Sequence, residues 1–436
     1  MSFSRSARRA TTAGVAALSL LALTACASTE AGESSPSASP RTSDGHDDHA
    51  HDAAQATEAA AATPRIVLTY DGGLVVLDAN SLETEATLEL PGFNRISPVG
   101  DGRHVAVSTT GGWAIVDAGT WTQAHGDHAH YFTAEPALHE EILEAEEPGH
   151  VVPHDGLTAF FDDGTGQVTV VETSEWADMV EHEHLHPIRE YTTAEAHHGV
   201  AVATESGELL VTIGDADGRT GAMLLDEDDA VIASSEECPG VHGETAFTGA
   251  SGEAYFVTGC EDGALVFHGE SVHKVAAPDA FGRIGNAFSV EGSDVVLTDY
   301  KTDPEGGIGL TQVTLLDVAS ESLTVIDAFP GADAQYTWRG LARGADGEAL
   351  VLGTDGALRV LDPATGDVVR TIDVIDGWEI PEEWQTAHPA LTVLAGMAYV
   401  TEPASGEVHI VDYAGGEVWK SVEVGVEMNE MVGVTG

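Results

Sequence analysis

The chain has 436 residues, 42% of them hydrophobic, with 73 Asp+Glu against 17 Lys+Arg and a formal net charge of −56 at pH 7. So acidic a surface repels phosphate backbones, which excludes nucleic acid as a partner, and it attracts cations. The length exceeds that of an ordinary single domain, and repeated units are one way a single architecture reaches it.

Residues 1–25 read as a lipoprotein signal peptide. Arg5, Arg8 and Arg9 form a positive start, and an apolar stretch from Ala13 to Leu23 follows, too short to span a bilayer. It ends in Leu23-Thr24-Ala25-Cys26, a lipobox in which Cys26 is the expected lipidated residue. The expectation is export, with a lipid anchor on the outer face of the cytoplasmic membrane. Residues 26–63 are rich in Ser, Ala, Pro, Thr and Glu without apolar periodicity and read as a flexible tether. Within it, His46, His49 and His51 sit among aspartates as a loose metal-capturing tract.

From residue 64 to 436 the texture is uniform: short β-rich runs alternate with Gly/Asp turns, and no convincing helix is visible. A unit recurs near Thr63, Asp101, Asp155, Ser206, Ser251, Gly292, Asp346 and Gly396. Neighbouring copies lie roughly 40–55 residues apart, the period of propeller blades. The expected fold class is therefore all-β, a β-propeller. Its copies read as eight blades, or as seven if the first and last close one together. The inner strands of such a ring converge on a central channel.

The 20 histidines outnumber Lys+Arg. His197-His198-Gly199 and His242-Gly243 precede equivalent turns in successive copies, which places them at equivalent points facing the axis. His150 fits one copy earlier and His388 fits the last copy, while Arg95, Asn286 and Arg339 occupy similar points elsewhere. A second cluster, His125, Asp127, His128 and His130, is expected to lie in a long loop reaching Glu147. His182, His184 and His186 form a third, with the alternate spacing of a strand face. Imidazole donors suit zinc, with copper(II) as the chemical rival. The chain shows no calcium loop and no thiolate set for copper(I). The expected zinc ligands are His125, His128, His130, His150, His197, His198, His242 and His388. Besides Cys26, only Cys238 and Cys260 remain; an exported chain makes them a disulfide by default, with a thiolate zinc site as the alternative. Nucleophile elbows, phosphate loops and His-Glu-x-x-His are absent, so no catalytic residue is expected.

The runs HHGVAV (His197–Val202), CPGVHGE (Cys238–Glu244), GCEDG (Gly259–Gly263), HGDHAH (His125–His130) and the closing WQTAHP, AYVTEP and NEMVGVTG resemble the AztD-type zinc metallochaperones over nearly all of residues 65–436. The resemblance implies an exported propeller that binds zinc and passes it to the solute-binding protein of a zinc ABC transporter. A lipid anchor at Cys26 departs from that pattern and implies a cell-surface version, expected to be a monomer. The competing readings are a propeller enzyme and an extracellular scaffold or adhesion lipoprotein.

Overall fold

The structure, a computed structural model, describes residues 56–436. The signal peptide, Cys26 and the His46–His51 tract lie outside the described residues. Of the described chain almost everything regular is strand, arranged in eight four-stranded antiparallel sheets and one three-stranded sheet. The inner strands of successive four-stranded sheets are Met428–Val434, Ile96–Pro98, Pro148–His154, Ala201–Ala203, His242–Thr248, Ala287–Phe288, Leu341–Arg343 and Leu391–Leu394. The first sheet is completed by the end of the chain: Met428–Val434 pairs with Arg65–Tyr70, and Glu430 N–H donates to Thr69 Oγ1. This pairing leaves the first strand of the repeat array without an open edge.

Apolar residues are found on both faces of the middle strands, because each sheet packs between two others. Gly72–Asp78 and Gly112–Asp117 are buried along most or all of their length. Eight apolar clusters fill the interfaces. One joins the first and second sheets through Val67, Val76, Val105 and Val116. Another joins the last sheet back to the first through Tyr399, Ile410, Ile66 and Leu77. Each buried Val, Leu or Ile contributes about 1.5–3 kcal/mol relative to exposure. The circuit of clusters holds the sheets, and one short helix, Trp176–His182, adds Trp176, Met179 and Val180 to the cluster between the second and third sheets.

Three expectations are corrected here. The stretch from Thr120 to Glu144 is not a loop. Thr120–His125 and His128–Thr133 form a hairpin, and Ala137–Glu144 is the outer strand of the second sheet. His125 pairs with His128 across a two-residue turn in which Gly126 has φ +64°, a conformation glycine adopts without strain. Thr57–Ala59, at the end of the segment assigned to the tether, adds to this hairpin as a third strand. Finally, Trp176–His182 is an α-helix, anchored by the buried Trp176, Met179 and Val180. His182 therefore ends a helix and does not share a strand face with His184 and His186. Among the described residues no helix is long and apolar enough to cross a membrane.

Cys238 and Cys260 form a disulfide, both wholly buried. It ties the segment entering His242–Thr248 to the end of its partner strand Ala254–Cys260.

Candidate metal centre

His150, His198 and His242 come from three consecutive sheets. His150 lies in the third inner strand, His198 just before the fourth, and His242 opens the fifth. Their ring centroids are 5.1, 5.1 and 5.4 Å apart, and their ligand nitrogens all fall within 4.8 Å of one another. His198 Nε2 and His242 Nε2 are separated by 3.3 Å. Zinc–nitrogen bonds of 2.0–2.1 Å place two ligands of a tetrahedral ion about 3.3–3.4 Å apart. The observed spacing therefore matches two corners of a zinc tetrahedron.

Each ring is held from behind through Nδ1. His198 Nδ1 meets Asp163 Oδ2 at 2.5 Å, and Asp163 also accepts Gly199 N–H at 3.1 Å. His242 Nδ1 meets the Gly285 carbonyl at 2.6 Å. His150 Nδ1 meets Glu244 Oε1 at 3.2 Å. The carbonyl forces Nδ1 of His242 to be the protonated nitrogen and leaves its Nε2 lone pair free, the arrangement that orients metal-binding imidazoles. Burial, then the neighbouring His150, hold the His242 pKa well below the ordinary imidazole value. Burial alone raises the pKa of the Glu244 carboxyl, but the charge and hydrogen bond of His150 outweigh it and keep that carboxyl ionised. A neutral donor beside a buried anion favours a cation between them.

The hairpin forms a second triad. His128 Nε2 lies 3.2 Å and His125 Nδ1 3.4 Å from His130 Nε2, again the spacing of a tetrahedral zinc site. His130 Nδ1 is held by Glu58 Oε1 at 2.8 Å, from the added strand Thr57–Ala59. His125 and His128 are exposed and His130 is half-buried. The two triads stand on opposite faces. The hairpin follows Asp117, which pairs with His104, and the adjoining Val105 pairs with Pro98 at the end of the second inner strand. The other triad stands where inner strands begin.

The remaining rim is occupied by a different network. Glu430, on the first inner strand, pairs with Arg95 at 2.7 Å and with Arg339 at 3.5 Å. Arg339 also donates to the Asn429 carbonyl, and Asn286 donates to Asp299. The expected polar ring is thus present, histidine on one side and Arg–Glu–Arg on the other.

Two expected ligands stay outside both triads. His197 is buried, with Nδ1 on the Glu195 carbonyl and Nε2 against Thr212 Oγ1 at 3.1 Å. Both its nitrogens are used, so it is a satisfied core histidine. His388 is 2% exposed and packs between Trp338 and Trp378. Its Nδ1 faces the Thr386 carbonyl, and no other histidine or carboxylate joins it in a ligand group among the described residues. Sequence reasoning missed Asp163 and Glu58, which carry no signal among so many acids. Glu244 is legible only as a neighbour of His242.

No protein-family model matches the chain. Over 362 residues the sequence is 26% identical to the zinc chaperone AztD of Citrobacter koseri, covering 81% of each chain. The crystal structure of Citrobacter koseri AztD superposes with a TM-score of 0.71 at 21% identity, covering 86% of this chain and 99% of that one. The apo structure of the same protein gives 0.68 at 20% identity with the same coverage. The resemblance expected from the sequence motifs is borne out: in sequence and in β-propeller fold, this chain is similar to the zinc chaperone AztD.

Proposed function

We propose that this chain is an exported zinc metallochaperone, tethered to the membrane through Cys26, that delivers zinc to the solute-binding protein of a zinc ABC transporter. Zinc is its cargo, and the chain acts as a carrier and not as an enzyme. The observation that carries this reading is the pair of histidine triads at tetrahedral zinc spacing, in a chain similar to a zinc chaperone. The triads differ in a way that suits a carrier. The rim triad has every ring braced by an oxygen acceptor and holds its ion firmly. The hairpin triad is exposed, so a partner reaches its ligands one at a time. The N-terminal histidine tract would raise the local zinc concentration.

The test is transfer. The purified chain is loaded with zinc, freed of excess metal and mixed with the apo solute-binding protein. Transfer faster than zinc release to a chelator supports direct delivery. Transfer no faster than that release refutes it. Zinc that never leaves would make the chain a store.

A further inference from the structure

A third group of donors lies away from both triads, in the last sheet. Glu402 ends the strand Met397–Glu402 and Glu407 opens the strand Glu407–Asp412, and the two pair directly across the turn between them. His409 follows Glu407 by two residues and so shares its face of the sheet. One ligand atom from each of Glu402, Glu407 and His409 falls within 4.8 Å of the others.

The imidazole is the informative member. His409 is 5% exposed, and its Nδ1 is occupied by Ser421 Oγ at 2.8 Å. Its Nε2 is buried without a hydrogen-bond partner, and Glu402 Oε2 is 3.7 Å away. A plain His–Glu hydrogen bond closes to about 2.8 Å. A gap of 3.7 Å is nearer the separation of two ligands on one ion. Glu402 is itself fixed, accepting Asp376 N–H at 2.9 Å and the Ser405 hydroxyl at 2.6 Å. Glu402 and Glu407 border a cavity of about 590 Å³ that Asp376, Glu379 and Glu427 also line; no lysine or arginine is among its lining residues. An orphaned buried nitrogen beside two carboxylates that line an acidic cavity is stabilised by a cation.

We propose that Glu402, Glu407 and His409 bind a divalent transition-metal ion of the zinc class, separately from the two histidine triads. The imidazole selects such an ion over calcium or magnesium, which prefer oxygen alone. The cavity leaves room for water or a further ligand on its open side. This site does not depend on zinc delivery to any partner.

The experiment uses the full chain with the histidines of the N-terminal tract and of both triads replaced by glutamine. Equilibrium dialysis against zinc, and the visible spectrum after cobalt(II) loading, report what still binds. The expected result is one ion held at a site that Glu407→Gln and His409→Gln each weaken roughly tenfold or more. Because His409 is buried, Glu407→Gln carries the test if His409→Gln does not fold. The proposal is overturned if that chain binds no zinc, or if its bound zinc is indifferent to Glu407→Gln.

Discussion

His198 Nε2 and His242 Nε2 stand 3.3 Å apart across two neighbouring sheets, 44 residues distant in the chain. Neither ring is free to turn away, because Asp163 and the Gly285 carbonyl hold the opposite nitrogens. Two imidazoles do not approach in this way for their own sake, since each presents a lone pair to the other unless a proton or a metal lies between.

Removing the brace behind one ring tests its purpose. Asp163→Asn keeps the size of the side chain and loses its charge. Zinc affinity of the rim triad is expected to fall by roughly 10–100-fold. A competition titration against a chromophoric chelator measures it. An unchanged affinity would mean that Asp163 only caps the turn at Gly199.

Adjacent histidines provide an internal control. His198→Gln is expected to cost the protein one bound zinc with little change in stability. His197→Gln is expected to leave zinc bound but to destabilise the fold by about 1–3 kcal/mol, because it disturbs the buried contacts to Thr212 and the Glu195 carbonyl. Metal analysis and denaturant unfolding separate the two outcomes.

This pair also marks how far the sequence is legible. The recurring turns fixed the propeller, because Gly and Asp punctuate strands wherever the chain reverses. Matching His198 to His242 by their place before those turns succeeded, since inner strands begin at equivalent points around the ring. The same logic gave no means of separating His197 from His198, whose side chains diverge into the core and onto the rim. It also put His388 on the rim, where two tryptophans enclose it instead. The hairpin at His125–His130 looked like a loop because its histidines and polar residues hide the alternation of an exposed strand. The bracing acids, Asp163 and Glu58, are invisible in a chain with 73 carboxylates.

His388 makes stability depend on pH. Burial, and then the Arg339 charge, lower its pKa from an ordinary 6.5 to about 4. A depressed imidazole stays neutral in the native state while the unfolded chain takes up a proton. Its stabilising effect is therefore complete above pH 6.5 and is lost as the pH falls toward 4. At pH 5 the loss is about 2 kcal/mol. Urea unfolding of the metal-free protein at pH 7.5 and 5 should show it, and His388→Gln should reduce the difference by about that amount.

The Cys238–Cys260 disulfide lies just before His242 in the chain and closes a 22-residue separation. Replacing both cysteines by serine should lower stability by about 2–4 kcal/mol. It should also loosen the entry to His242–Thr248 and weaken zinc at the rim triad, leaving the hairpin triad unaffected. Calorimetric zinc titration of the rim-only and hairpin-only variants distinguishes these effects.

The most direct test of the account is a zinc count after desalting, made on the full chain and on two triple variants. One has His150, His198 and His242 replaced by glutamine, and the other has His125, His128 and His130 replaced. The account expects each triple variant to hold one zinc fewer than the parent, and the combination of all six changes to hold two fewer. If either triple variant retains the parent's full complement of zinc, that triad is not a zinc site and the account of the protein as a two-site carrier is contradicted.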